Sequence, residues 1–175
     1  MNYTPQLVCQ SFAMIPFEEL YLKGFRVILT DLDNTLSPYT DHFPSAELKK
    51  QIALVKDLGF QIYLVSNNHS QRITTFEAAL GLDGALCKSH KPSPKRIEAF
   101  LKEKGINKKE VIAVGDQLVT DILAYNRADL YSIFVKTIDY QTQKWYTKIN
   151  RLREKRIIKK MGKENPQIQR EILEL

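Results

Sequence analysis

Two carboxylates stand two residues apart in the stretch Asp31-Leu32-Asp33-Asn34-Thr35-Leu36. The run before them, Phe25-Arg26-Val27-Ile28-Leu29-Thr30, is β-branched and aromatic enough to form a strand. Both acids therefore fall where a buried strand gives way to a loop. Carboxylates there cost free energy unless they are paired or bind a cation, so the pair points to chemistry rather than to folding. Phosphoryl transfer would use such a set. It needs a nucleophile, a proton donor for the leaving oxygen, a divalent cation and donors for the equatorial oxygens. Asp31 can attack phosphorus. Asp33 is near enough in sequence to protonate the departing alkoxide and then to deprotonate water. Asp116 can share Mg²⁺ with Asp31, because oxygen ligands suit that hard ion. Ser66 offers a hydroxyl, and the backbone N–H of Asn67 a second donor. Lys91, or its neighbour Lys88, offers the cation that neutralises carboxylate and phosphate. Asp121 can orient that lysine or a metal-bound water.

These residues need elements to hold them. Residues 4–24 mix apolar and polar positions, with one or two helical turns expected from Phe17 to Lys23. Pro44-Ser45 opens a helix whose apolar positions Leu48, Ile52, Val55 and Leu58 repeat at helical spacing, and Gly59 ends it. Phe60 to Val65 forms a second strand. Ser70 caps a helix to about Leu80, and Gly84 to Cys87 forms a short third strand. Ser93-Pro94 starts another helix, with Pro94 at the first helical position. Val111 to Val114 is a fourth strand, Thr120 to Ala128 a helix, and Tyr131 to Val135 a fifth strand. Alternating strands and helices imply right-handed crossovers and a three-layer, doubly wound (Rossmann-like) α/β sheet. Ligands of such sheets bind at the carboxyl ends of the strands, and Asp31, Asp33, Ser66, Lys91 and Asp116 all lie at or after such ends.

Composition bounds the class. The 175 residues are 43% hydrophobic and 26% charged, enough for one sizeable core. No apolar run approaches membrane-spanning length, and the N-terminal residues lack the pattern of a signal peptide. Two cysteines, Cys9 and Cys87, are too few for a disulfide framework. A cytoplasmic protein with reduced thiols is expected, with peripheral contact at the inner membrane surface as the extension of that reading. Charge is uneven. From Gln141 onward stand Lys144, Lys148, Arg151, Arg153, Lys155, Arg156, Lys159, Lys160, Lys163 and Arg170 against Glu154, Glu164, Glu171 and Glu174. This excess equals the whole chain's +6, so residues 1–140 balance to zero. Residues 1–140 are read as the catalytic domain and 141–175 as a basic helical extension.

Asp31-x-Asp33-x-Thr35, then Ser66, then Lys91-Pro92, then Gly115-Asp116-x-x-x-x-Asp121 resemble, in order, the four motifs of the haloacid dehalogenase superfamily. The resemblance covers about residues 25–135. It implies Asp31 as nucleophile, Asp33 as general acid/base, and Mg²⁺ held by Asp31, the backbone carbonyl of Asp33 and Asp116. Metal ligands are thus expected among Asp31, Asp33, Asp116 and Asp121, with Ser66 and Lys91 at the phosphate and Asn67 and Thr35 as binding residues. Asp33 favours a phosphatase, since a dehalogenase has no leaving oxygen to protonate. The gaps from Asp33 to Ser66 and from Ser66 to Lys91 are too short for a cap domain, so the chain resembles the capless subclass IIIA. Val114-Gly115-Asp116-Gln117-Leu118-x-Thr120-Asp121 with Asn126 resembles the YqeG-type subgroup, related to phosphatidylglycerophosphate phosphatases. An open site suits a bulky substrate: a lipid phosphate, a phosphoprotein or a nucleic-acid end.

Other readings compete. A receiver domain would carry an aspartate where this chain has Cys87 and Lys88, and the P-loop motif is absent. His42, His69 and His90 show no ligand spacing. A non-enzymatic adaptor using the basic tail is opposed by the complete acid set. In the tail, Trp145, Ile149, Leu152, Arg156 and Lys159 follow helical spacing. That stripe would pack on the domain, or its basic face would meet an anionic membrane or RNA. A cut after Tyr140 is expected to spare activity on a small soluble ester, provided the domain folds.

Overall fold

A computed structural model describes residues 1–68, 71–139 and 145–175, with side chains described from residue 153 in the last segment. Six strands form one parallel sheet: β1 (Leu7–Cys9), β2 (Val27–Thr30), β3 (Gln61–Val65), β4 (Gly84–Leu86), β5 (Val111–Gly115) and β6 (Tyr131–Val135). Their order across the sheet is β1-β6-β5-β2-β3-β4. Among the described residues seven α-helices accompany them: α1 (Phe17–Leu22), α2 (Ala46–Asp57), α3 (Gln71–Leu80), α4 (Lys95–Glu103), α5 (Leu123–Arg127), α6 (Trp145–Glu164) and α7 (Pro166–Leu173).

Successive strand residues point to opposite faces, and β2 shows the result. Ile28 joins a core with Leu48, Ile52 and Val55 of α2 and Ile73, Phe76 and Leu80 of α3. Val27 and Leu29 face the other way, onto Ile97, Phe100 and Leu101 of α4 and Ala124 and Tyr125 of α5. A third cluster joins Phe134 of β6 and Leu118 and Ile122 to Met161 of α6 and Ile172 of α7. The C-terminal helices therefore share a core with the sheet's far edge.

Several expectations shift. The sheet has six strands, not five. The extra one, β1, pairs in parallel with β6 through Leu7↔Ile133, Val8↔Phe134 and Cys9↔Val135. Leu7-Val8-Cys9 is apolar but too short to show a period, so the edge of β6 decides that it is a strand. The predicted Thr120–Ala128 helix begins instead as a π-helical turn, Leu118–Ile122, and continues as α5. Pro94 stands at the N-cap of α4, one residue before the expected position. Ser45 caps α2 as read, its hydroxyl accepting from the Leu48 N–H at 3.1 Å. Ser70, expected to cap α3, lies outside the described residues, as do His69 and the residue-140 boundary. Among the described residues no further domain is inserted between Asp33 and Ser66 or between Ser66 and Lys91. Among the described residues, no helix is long and apolar enough to cross a membrane.

Candidate active site

From β2 the chain steps outward to β3 and β4, then returns to β5 on the other flank of β2. Strand order reverses between β2 and β5, which opens a crevice at their carboxyl ends. Thr30 is level with Leu64 of β3 and Val114 of β5, so the loops bearing Asp31, Ser66 and Asp116 leave the sheet at one height. The Asp31 N–H donates to the Val114 carbonyl at 3.0 Å. After Asp33 the chain turns sharply, with Asn34 at φ +65° and its N–H on the Ser37 carbonyl at 2.8 Å. Asparagine tolerates that left-handed geometry better than most residues.

Lys91 is the hub. Its Nζ donates to Asp31 Oδ1 at 2.9 Å and to the Val65 carbonyl at 2.8 Å, and it pairs with Asp121 Oδ1 at 2.7 Å. The Tyr125 ring lies below, its centroid 5.9 Å from Nζ. The lysine's own backbone is held by the Asn67 side chain, which accepts from Lys91 N at 2.7 Å and donates to Lys91 O at 2.9 Å. Asn67 also accepts from the buried Ser89 hydroxyl at 2.8 Å. Ser66 is buried, and its hydroxyl accepts from Asn68 N at 3.1 Å.

Thr35 joins the acids of two strands, its Oγ1 lying 3.4 Å from both Asp31 Oδ2 and Asp116 Oδ1. Thr137, past β6, donates to Asp116 Oδ2 at 2.7 Å. Asp121 spends its oxygens on the protein, Oδ1 on Lys91 and Oδ2 on Gln117 N at 3.1 Å. Gly115 makes room for it: a Cβ there would sit 2.4 Å from the Asp121 Cβ. Asp33 faces outward more than the other acids. Its side chain is 28% exposed, against 13% for Asp31 and 2% for Asp121, and Asp116 is fully buried. Its carboxylate pairs with the Arg72 guanidinium.

Burial raises the Asp31 carboxyl, Lys91 pulls it down, and Asp121, Asp33 and Asp116 push it up again, to about 8. Burial opposes the charge on Lys91, but Asp121 and Asp31 outweigh it and hold the lysine well above its usual range. Four carboxyl groups crowd against Lys91 and Arg72, and the raised Asp31 carboxyl marks a crowding that a divalent cation would relieve. Among the described residues, no three acidic, imidazole or thiol groups converge on a ready-made cage. Mg²⁺ rarely uses one; it keeps waters and takes one or two carboxylates plus substrate oxygens. Asp31 and Asp116, bridged by the Thr35 hydroxyl, form a partial set of that kind.

The structure thus gathers Asp31, Asp33, Thr35, Ser66, Asn67, Lys91, Asp116 and Asp121 at one crevice. His42 and His90 are exposed. The Cys87 thiol is raised by burial and by Glu77, against a nucleophilic role. Sequence reading missed Arg72, Thr137, Tyr125 and Glu154. The buried Glu154 of α6 reaches from the tail to accept from the Leu118 N–H at 2.5 Å, two residues beyond Asp116. The one hint is compositional: Glu154 is the lone acid in the basic run from Arg151 to Lys163.

A family model described as haloacid dehalogenase-like hydrolase matches residues 16–129. The chain is 29% identical over 156 residues to "Probable phosphatase YqeG" of Bacillus subtilis (strain 168), spanning 89% of this chain and 90% of that protein. Among solved structures, an uncharacterized protein from Listeria monocytogenes serotype 4b superposes with a TM-score of 0.53 at 20% identity, over 69% of this chain and 85% of that one. The cobalt-bound deoxy-D-mannose-octulosonate 8-phosphate phosphatase of Haemophilus influenzae gives 0.52 at 16% identity, over 65% and 70%. At these identities the structural likeness is one of fold.

Proposed function

Because the chain belongs to the haloacid dehalogenase-like hydrolases and is a phosphatase of that family, we propose that it hydrolyses a phosphomonoester with Mg²⁺ through an aspartyl-phosphate on Asp31. An Asp31 oxygen attacks phosphorus, and the bond from phosphorus to the ester oxygen breaks. Asp33, the most exposed of the four acids, gives its proton to the leaving oxygen. In the second step Asp33 takes a proton from water, which attacks phosphorus and frees Asp31 and inorganic phosphate. Lys91 neutralises charge on Asp31 and on the phosphoryl oxygens, and Ser66 and the Asn67 N–H donate to those oxygens. Asp121 holds Lys91. Of its expected roles, orienting Lys91, orienting a metal-bound water or ligating the metal, the first is the one its occupied oxygens support. Asp31, Asp116 and the backbone carbonyl of Asp33, with Thr35 alongside, would hold Mg²⁺, which would add positive charge to neutralise the transferring group. The cobalt in the fold neighbour from Haemophilus influenzae agrees with use of a divalent ion.

One observation carries this reading. A buried lysine joins two acids at the point where strand order reverses. Asp31→Asn should abolish turnover of p-nitrophenyl phosphate while the protein stays folded, and excess chelator should do the same to the wild type. Substantial activity in either case overturns the mechanism.

The substrate we favour is a bulky one, a lipid phosphate such as phosphatidylglycerophosphate at an anionic surface. Among the described residues no cap domain is inserted between the motifs, and Glu154 of α6 accepts from the Leu118 N–H two residues past Asp116. On α6, Lys155, Arg156, Lys159, Lys160 and Lys163 are exposed, opposite the face bearing Glu154 and Met161. An outward basic face beside an open site would hold that site against anionic headgroups.

A further inference from the structure

Arg72 has no part in the reaction as set out above. It is the second residue of α3, one turn past the Ser66-Asn67-Asn68 loop. Its side chain is 12% exposed, and its guanidinium donates in three directions. Nη1 pairs with Asp33 Oδ1, Nη2 donates to the Pro38 carbonyl at 2.8 Å, and Nε donates to the Asp41 carbonyl at 2.6 Å. The guanidinium carbon stands 4.5 Å from the centroid of Phe76, a fully buried ring of the α2–α3 core. Ser37 closes the loop with its hydroxyl on Asp41 Oδ2 at 3.1 Å.

We propose that Arg72 is the positioning residue for Asp33. It fixes the proton-transferring carboxylate, and the 37–41 loop behind it, to the helix that follows the phosphate-binding loop. This inference rests on the reading of Asp33 as general acid/base. A planar fork bound at three points and stacked on a rigid ring has little freedom left. A carboxylate tied to such a fork keeps a set direction, on a turn where the Asp33 side chain is 28% exposed. Stability alone is a poor account of the pair, because partly exposed ion pairs contribute little. Proton transfer, by contrast, depends steeply on placement. A lysine would keep the charge but not the fork.

Leaving-group dependence tests this. The ratio of turnover on p-nitrophenyl phosphate to turnover on β-glycerophosphate is read on one sample, so it does not depend on how much of that sample is folded. A poor leaving group needs its proton; nitrophenolate does not. Arg72→Ala should slow β-glycerophosphate hydrolysis by about tenfold to a hundredfold and p-nitrophenyl phosphate hydrolysis far less. Arg72→Lys should recover only part of the ratio. In the Asp33→Asn background, Arg72→Ala should change the ratio no further. If Asp33→Asn shifts the ratio and Arg72→Ala does not, the positioning role is wrong and the general-acid reading stands. If Asp33→Asn itself leaves the ratio unchanged, both fall. If Arg72→Ala weakens competitive inhibition by inorganic phosphate at an unchanged ratio, the arginine is a phosphate ligand and the proposal is overturned.

Discussion

Asp31, the proposed nucleophile, sits buried among other acids. Burial and the neighbouring carboxylates raise its carboxyl to about 8 despite Lys91. The sign of the linkage follows. Between the ordinary carboxyl range and about 8, the folded metal-free protein keeps the Asp31 proton while the unfolded chain has released it. Rising pH therefore favours the unfolded state. In excess chelator, stability should fall across that window by up to about 1.4 kcal/mol per pH unit. Urea unfolding at a series of pH values measures it, and Asp31→Asn should flatten the slope. Parallel profiles for variant and wild type would place the titration elsewhere. Gly115 shows the same crowding in another form. The family spacing from Asp116 to Asp121 returns the second acid against the first strand end, where only a residue without a Cβ leaves space.

Among the elements, α6 departs most from what its sequence suggests. The stripe that packs runs through Glu154, Ile157, Ile158 and Met161, while Arg156 and Lys159, assigned to the expected apolar stripe, are exposed. Trp145, Ile149 and Leu152 of that stripe lie among the side chains not described. Glu154 gives the first free N–H of the 118–127 helical segment a buried acceptor, at the end where an anion is also favoured by the helix dipole. Glu154→Ala should lower stability by about 1–3 kcal/mol, the cost of leaving a buried donor unpaired. Glu154→Gln, which keeps a carbonyl oxygen, should lose less. Denaturant midpoints would show this, and equal midpoints for all three proteins would mean that the tie carries no weight. A cut after Tyr140 would remove Glu154, Met161 and Ile172 together and expose Leu118, Ile122 and Phe134. The structure therefore gives no support to a truncated domain that keeps its small-ester activity.

For the whole molecule, the balance of charge is what the proposed docking on an anionic surface depends on. The excess of positive charge lies in the tail, and α6 exposes Lys155, Arg156, Lys159, Lys160 and Lys163, with Arg153 exposed beside them. Full-length protein should bind phosphatidylglycerol vesicles at low salt and release them as salt screens the contact. Replacing Lys155, Arg156, Lys159 and Lys163 together by glutamate should remove several increments of about 1 kcal/mol each. That loss should abolish vesicle binding while turnover of p-nitrophenyl phosphate persists. Equally weak binding by both proteins at low salt would rule out membrane docking by this face.

The strand and helix alternation, the capless spacing and the placing of acids at strand ends were legible in the chain, because they rest on local periodicity and on motifs within a few residues. The sheet edge was not: β1 exists only because β6 offers it a backbone ladder. Lys91 and Lys88 are equivalent as residue types. The choice of Lys91 at Asp31 follows from a turn with Lys88 at φ +51° and His90 at φ +58°, and from the Asn67 clamp. Arg72 meets Asp33 across 39 residues, Lys91 meets Asp31 across 60, and Glu154 meets Leu118 across 36. Sequence alone determined the motif residues, Asp31, Asp33, Ser66, Lys91, Asp116 and Asp121, but not Arg72, Thr137, Tyr125 or Glu154 beside them. Their partners were decided only by the folded sheet, because hydrogen bonds and ion pairs are short-ranged and the chain distances they span carry no periodic trace.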